Sequence, residues 1–510
     1  MTLPRRTRLR FAPSPTGPLH PGGVRTALYN YLFAKQQGGD FILRIEDTDQ
    51  NRLVPGAEQF ILDSLAWCGI SFDEGPHLEG GKYAPYRQSE RKHLYHEFAQ
   101  KLIENGAAYH AFDTPEDLEQ MRETLKDSPN QQYNALTRGA MKNTLTLPQE
   151  EVEKRLKNGE NYVIRFKMPE NELVHFNDLI RGKVSVNTNT LDDKVLFKAD
   201  GMPTYHLANV VDDYLMQITH VVRGEEWLPS APLHQLLYTA FGWLDVMPQF
   251  AHLPLLLKPN GNGKLSKRDG DQLGLPFYAI KWTNPDDQTT TLGYQETGYL
   301  PEAYINFLAL LGWNDGTTQE FFDMETLIKS FEVARIHKSG ARYDFDKLKF
   351  FNEHYLHHAD PKKLADLVLK NPDMSEKMAD FDQVYLEKVC DLVKERLSFT
   401  TDFWAKASYF FEAPTEYDAQ VVAKKWKEPI PKIMTDLASE LEKLEDFTPE
   451  NIQKTFETAC AQHATTPNAA MQCLRLAISG QAGGAALFEM AATIGKPQII
   501  SRLLEAVRVL

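Results

Sequence analysis

The stretch Arg10–Gly23, RFAPSPTGPLHPGG, decides how the rest of the chain is read. Four prolines, three glycines and one histidine separate a strand-like segment, Thr7–Ala12, from a run with helical period. From Gly22 to Gln37 the residues Val24, Ala27, Leu28, Tyr31, Leu32 and Ala34 fall on one helical face, and Gly38 and Gly39 end it. Asp40–Asp47, DFILRIED, reads as a second apolar strand. Pro55 opens a helix that turns Phe60, Ile61, Leu62, Leu65 and Ala66 inward and closes at Gly69. Strand, helix, strand, helix is the pattern of a parallel sheet. A stiff turn between strand and helix is where such a sheet binds nucleotides, at the positive end of the helix.

Bulk composition fits a folded enzyme-sized protein. A chain of 510 residues exceeds one hydrophobic core, so two large lobes are expected. Its 42% hydrophobic and 25% charged content is that of globular domains. Cys68, Cys390, Cys460 and Cys473 are scattered, form no CxxC pair and have no histidine cluster beside them, which argues against a disulfide framework and a structural zinc and fits a reducing cytoplasm. The opening MTLPRRTRLRF has no apolar stretch behind its basic residues, and no apolar run approaches the ~20 residues of a spanning helix. No membrane role is expected. The net charge of -14 does not exclude a polyanionic partner, because nucleic-acid binding depends on local positive patches. Basic residues gather at Lys258, Lys264, Lys267 and Arg268, at Arg335, Lys338 and Arg342, and at Lys424, Lys425 and Lys427.

Farther along, a helix runs from Ser89 to Gly106, and Thr114-Pro115-Glu116-Asp117 is a capped helix start. From about Thr137 to Lys198 short strands and turns suggest an α+β module inserted into the first lobe. Ser230 is expected to cap a helix through Leu236 to Phe241, and Lys258–Asp271, KPNGNGKLSKRDGD, to be a glycine- and lysine-rich loop. Trp282–Gly298 reads as a polar surface insertion, and beyond Pro301 nearly everything has helical period.

Thr16 and His20 can donate to phosphate oxygens, while Gly22 and Gly23 let backbone approach a ligand. Alone, such a turn is more often an ordinary βα connection, and a basic loop is more often solvated surface. KLSKR, Lys264–Arg268, changes the balance: its three cations suit the charge that develops on a leaving pyrophosphate.

Together these residues resemble the class I aminoacyl-tRNA synthetases. PSPTGPLHPGG is similar to their HIGH signature and KLSKR to their KMSKS signature. RFAPSPTG, NYLFAK, RIEDTD, PGAEQFILDSLAW, TYHLANVVDD, VVRGEEW and LGW are similar to the bacterial glutamyl-tRNA synthetases in particular, from Arg10 to about Lys347, and ALFEMAATIGKPQIISRL extends the likeness more weakly. Two features depart from the pattern. Pro21 replaces an aliphatic residue of the HIGH tetrapeptide, and the AAYHAFDTPEDLEQM stretch lacks the cysteines of a zinc knuckle, so no zinc is expected.

The resemblance implies a Rossmann-type α/β catalytic domain in two halves, 1–105 and 200–258, around an acceptor-end-binding insert, 106–199. The KMSKS loop and a stem-contact region, 259–345, and an all-helical anticodon-binding domain, 346–510, would follow. It implies ATP binding by Thr16, His20, Gly22, Gly23, Lys264, Ser266, Lys267 and Arg268, with His20, Lys264 and Lys267 catalytic and Mg²⁺ on the phosphates. Arg10 and Arg223 would take the carboxylates of glutamate. Ser14, Glu46, Tyr205 and Asn209 would surround its ammonium and side chain, with Trp227 as a wall. The implied partner is tRNA(Glu), and the implied protein a cytoplasmic monomer that needs bound tRNA to make the adenylate. Whether the enzyme also charges tRNA(Gln) stays open; the long helical stretch after Pro301 counts against a relative that charges a modified tRNA base instead of the acceptor end, and intact His20, Lys264 and Lys267 argue against a non-catalytic RNA-binding paralogue.

Overall fold

The computed structural model describes residues 5–127 and 131–510. The chain divides into two compact units, Met1–Tyr294 with Ile305–Phe345, and Gln295–Tyr304 with Asp346–Leu510.

The first unit opens with β1 (Arg8–Phe11), the proline-rich turn, α1 (Pro21–Gln36) and β2 (Asp40–Leu43), which pairs parallel to β1 with Arg10 opposite Ile42. At the α1–β2 crossing a Cβ on Gly39 would stand 2.2 Å from the Thr7 carbonyl oxygen, so only glycine lets the strands approach there. The next elements are α2 (Ala57–Trp67), α3 (Lys92–Glu104), β3 (Ala108–Ala111), α4 (Pro115–Thr124) and α5 (Gln149–Lys157). After them come β4 (Val163–Phe166), β5 (Leu173–Asp178), β6 (Gly182–Asn187), β7 (Val195–Phe197), α6 (Tyr205–Leu215), β8 (His220–Gly224), α7 (Ala231–Ala240) and β9 (Gln249–Leu253). Strands β8 and β9 are parallel, β9 pairs parallel with β5, and the Thr219 amide donates to the Arg8 carbonyl at 2.9 Å, tying β8 to β1. A parallel-stranded sheet with covering helices is thus the floor of the unit.

Several sequence expectations change in detail. Regular pairing of β2 stops at Leu43, but the chain stays extended to Glu46 because the amides of Arg44 and Glu46 donate to the carbonyls of Phe11 and Pro13. Helix α2 begins at Ala57 behind Gly56, whose φ of 81° an L-residue seldom adopts, and Ala66 faces solvent rather than the core. Ser230 precedes α7 but makes no side-chain cap. Within the stretch 106–199, β3, β4 and β7 form an antiparallel sheet of their own, while β5 extends the parallel sheet and β6 adds an antiparallel edge strand, in the order β6-β5-β9-β8. One face of the small sheet joins the core of its neighbours, with Ile164, Phe166 and Leu196 packing against Tyr95, Leu102, Leu207, Val211 and Leu237 of α3, α6 and α7, while Tyr109 and Ala111 form a separate small core with Tyr133 and Met141.

Past β10 (Leu256–Leu257), the expected loop turns into α8 (Lys267–Leu273), with Ser266 and Asp269 capping each other. In the segment read as a polar insertion, β11 (Trp282–Thr283) and β12 (Thr290–Thr291) form a hairpin anchored by Trp282, whose ring stands edge-on to Phe60 at 5.1 Å.

In the second unit every described regular element is helical. Asp360, Asp382 and Thr448 cap helices by accepting from the amides of Lys363, Tyr385 and Asn451. Buried Arg502 donates to the carbonyls of Tyr409, Ile478 and Glu412, satisfying backbone oxygens that water does not reach.

Candidate active site

The proline-rich turn lines a cavity of about 620 Å³ in the first unit. His20 is the residue before α1, in extended conformation, and its Nδ1 accepts from the Gly23 amide at 3.2 Å. Nδ1 being an acceptor, a neutral ring carries its proton on Nε2, where it can be donated to a ligand. The walls desolvate this ring although it faces the cavity, and Lys264 repels its charge, so it ionises below the usual histidine range. A Cβ on Gly22 would stand 3.1 Å from the imidazole, which is why the fold-back over the helix start needs glycine there. Pro21, the departure from the HIGH pattern, occupies the first helical position, where its missing N–H would have had no acceptor.

Opposite the turn lies a chain of buried charges. Arg10 donates to both carboxylate oxygens of Asp213, at 2.9 and 3.2 Å. Arg44, fully buried, donates to Asp213 at 2.8 Å and to Glu46 at 3.1 Å, and Asn209 donates to Glu46 at 2.9 Å. Burial raises the Glu46 carboxyl above its ordinary range, against the pull of Arg44 and Arg10. For Asp213 burial acts the same way, but its two arginines outweigh it and hold the carboxyl below the usual value. Arg10 Nη1 has no protein acceptor among the described residues, and the buried Asn209 Oδ1 has no donor. Both residues line the cavity.

Arg223 is fixed from three sides. Its Nε donates to His252 Nε2 at 3.0 Å, Nη1 to the Tyr205 hydroxyl at 2.7 Å and Nη2 to the Trp227 carbonyl at 3.2 Å. A guanidinium carries five N–H donors, so the remaining two are open to a carboxylate. Tyr205 accepts from Arg223 and therefore has its own O–H to donate. Burial, with the arginine opposing, raises its pKa and keeps it protonated. Trp227 lies against Tyr205 with ring centres 4.3 Å apart.

Arg10, Ser14, Thr16, His20, Gly22, Gly23, Glu46, Tyr205, Asn209, Arg223, Trp227 and Lys264 thus share one cavity. Ser266, Lys267 and Arg268 do not line it. Lys264 sits 3.7 Å from Glu226 in an exposed pair. Lys267, in the first turn of α8, stands 5.8 Å from the Tyr278 ring centre. The structure adds residues that the sequence reading passed over: Arg25, Thr48, Asp49, Arg52 and Glu226 on the cavity wall, and Asp213 and Arg44 behind it. The adjacent acids of VVDD at the end of an apolar helix were a usable signal, since two buried carboxylates demand cationic partners.

A parallel sheet whose strand-to-helix turn caps a helix with histidine, facing a lysine loop across one polar cavity, defines a class I nucleotide-binding catalytic domain. Residues 6–350 match the family of class I tRNA synthetases (E and Q), catalytic domain, and residues 362–507 match an anticodon binding domain. The chain belongs to this class I tRNA synthetase family. It is 53% identical over 510 residues to a glutamate–tRNA ligase of Bacteroides fragilis, covering 99% of each chain. It is 52% identical to that of Christiangramia forsetii, covering 98% of this chain and 99% of the relative. Among solved structures it is similar to a glutamate tRNA ligase from Elizabethkingia meningosepticum, in complex with its amino acid, with a TM-score of 0.92 and 46% identity over 99% and 100% of the two chains.

Proposed function

We propose that this chain is a glutamate–tRNA ligase that joins L-glutamate to the 3′ end of tRNA(Glu) at the expense of ATP. One observation carries the reading. A single cavity presents unpaired N–H groups of Arg10 and Arg223, beside Glu46 and the donor-less Asn209 Oδ1, together with the cation and histidine set of a phosphate site. The two arginines between them would take the two carboxylates of glutamate. Glu46, held by Asn209, would accept from its ammonium. Glutamine has nearly the same shape but no second charge, and leaving a buried arginine without its partner costs about 2–5 kcal/mol, enough for selection without editing.

In the first step an oxygen of the substrate α-carboxylate bonds to the α-phosphorus of ATP as the bond to the bridging oxygen breaks, releasing pyrophosphate. In the second a ribose hydroxyl of the tRNA attacks the glutamyl carbonyl and AMP departs. The chain's part in both is placement and charge compensation. His20 Nε2–H and Thr16 would hold phosphate oxygens, and the orphan Gly22 amide at the start of α1 would add a donor. Lys264 would leave Glu226 for the departing pyrophosphate, with Lys267, Ser266 and Arg268 drawn in by closure of their loop. Mg²⁺ would arrive on the triphosphate, with phosphate oxygens and water as its main ligands. The matched anticodon binding domain, residues 362–507, would hold the other end of the tRNA. No described helix is long and apolar enough to cross a membrane, and we place the enzyme in the cytoplasm as a monomer.

Pyrophosphate exchange with glutamate, ATP and tRNA tests the reading. Exchange is expected with glutamate and not with glutamine, and to require tRNA. Lys264→Ala is expected to slow it by about 10²–10³-fold, the loss typical of one transition-state donor, with glutamate KM little changed. Exchange that proceeds equally well with glutamine, or a Lys264→Ala variant of full activity, would contradict it. Charging of purified tRNA(Glu) and tRNA(Gln) side by side then distinguishes a selective enzyme from one that serves both.

A further inference from the structure

Behind Arg223 lies a polar relay that the reaction itself does not use. Arg223 and His252 are register partners on the adjacent parallel strands β8 and β9, so their side chains share one face of the sheet. His252 Nδ1 lies 2.6 Å from Asp178 Oδ2, and its Nε2 receives the Arg223 Nε–H at 3.0 Å. Asp178 and His252 are both buried, and neither lines the cavity. The hydrogen-bond directions are forced. Nε2 accepts, so the proton of a neutral imidazole must be on Nδ1, where it is donated to Asp178. Asp178 is itself held, its Oδ1 accepting from the amides of Ile180 and Arg181 at 2.9 and 2.8 Å and its Oδ2 from the His252 amide at 3.2 Å. Burial works against this carboxylate, but its donors keep it ionised.

We propose that Asp178 and His252 are positioning residues for substrate binding: the carboxylate fixes the imidazole tautomer, the imidazole anchors Arg223 by Nε, and the two unused N–H groups of Arg223 are thereby aimed at a substrate carboxylate. The proposal deepens the reading of this site as a glutamate pocket and rests on it. The relay also accounts for β5, which extends the catalytic sheet although it lies in the inserted stretch: its last residue is Asp178, paired with Phe250 on β9, the strand that also carries His252. An arginine anchored only by Tyr205 and the Trp227 carbonyl could turn about its last bonds, and a turned guanidinium would lose the paired geometry that a carboxylate needs.

The test uses the full chain in tRNA-dependent pyrophosphate exchange. Asp178→Asn keeps the shape but can donate to His252 Nδ1, which moves the ring proton to Nε2 and sets two donors against each other at Arg223, as the tautomer logic of a catalytic triad requires. It is expected to raise glutamate KM by about tenfold or more, the worth of one charge-assisted hydrogen bond, with ATP KM within about twofold. His252→Gln offers Arg223 a non-titrating acceptor and is expected to return most of the lost glutamate affinity relative to His252→Ala. Equal changes in the glutamate and ATP constants together with a lowered unfolding midpoint, or no difference between His252→Gln and His252→Ala, would overturn the relay as a positioning device. So would an Asp178→Asn protein with unchanged glutamate KM, given normal exchange in the unaltered chain. Absence of glutamate-dependent exchange in the unaltered chain would instead overturn the glutamate reading, and the proposal with it.

Discussion

At the Glu46 end of the cavity nearly every polar atom already has a partner, whereas at the His20–Lys264 end few do. Arg10, Asp213, Arg44, Glu46 and Asn209 form one continuous buried network drawn from β1, the extended chain after β2, and α6. His20 is bonded only to its own helix start, and Lys264 meets Glu226 at 3.7 Å in a half-exposed pair. On the proposed reading, the difference follows from what each end would recognise. An amino acid is told from its isosteres by charges fixed in place before it binds, which lowers the cost of ordering at the moment of binding. A triphosphate held at the other end would change its charge distribution during the step, and a loop drawn onto the leaving group would stabilise the later state more than the earlier one.

The most severe way to break this contrast is Asp213→Ala. It strands two arginines in the interior, and loss of one partner from a buried pair typically costs about 3–5 kcal/mol. The unfolding transition of the first unit, followed by heat or denaturant, is expected to fall accordingly and glutamate-dependent exchange to vanish. A variant of unchanged midpoint would mean that the network is not what holds this end in place.

Glu46→Gln sharpens the comparison by separating recognition from stability. The folded Glu46 carboxyl binds its proton more tightly than the unfolded one, because burial outweighs the pull of Arg44 and Arg10. A carboxyl raised in this way favours the folded state at pH below the ordinary carboxyl range, and that contribution is lost as pH rises through the folded pKa. At neutral pH its charge therefore works against folding. The neutral amide is expected to leave the midpoint at pH 7 unchanged or higher, while glutamate KM rises by roughly tenfold through loss of a charged partner for the ammonium group. A midpoint that drops as far as in Asp213→Ala would show Glu46 to be a structural ion partner instead.

The contrast also marks what could be read from sequence. The proline-rich turn, α1 and His20 are close together in the chain and carry local signals, helical period and punctuating glycine, whereas Arg10 and Glu46 are legible only through the family resemblance. Asp213 is 203 residues from Arg10, and His252 is 74 from Asp178, so neither pairing has a local trace. β5 shows the same limit. Its alternating burial is visible in LVHFND, but the strand that receives it, β9, begins at Gln249, and the pattern alone cannot say which sheet it joins. The Ser266–Asp269 capping box was present in SKRD, yet the flanking glycines and lysines outweighed it in a reading by composition.

The smallest expected effect tests the looser end. His20 serves two purposes there, since Nδ1 caps α1 and Nε2–H faces the cavity. His20→Ala loses both and is expected to lower stability by about 0.5–2 kcal/mol, the usual worth of a helix cap, along with activity. His20→Asn separates them: asparagine is a preferred capping residue but is too short to put a donor where Nε2–H stands, so stability is expected within about 0.5 kcal/mol of the unaltered protein while exchange stays as slow as in the alanine variant. If asparagine instead restored exchange, the ring's contribution would be to hold the helix start, and the phosphate end would be as fully prebuilt as the Glu46 end, with the α1 amides rather than the imidazole meeting the triphosphate.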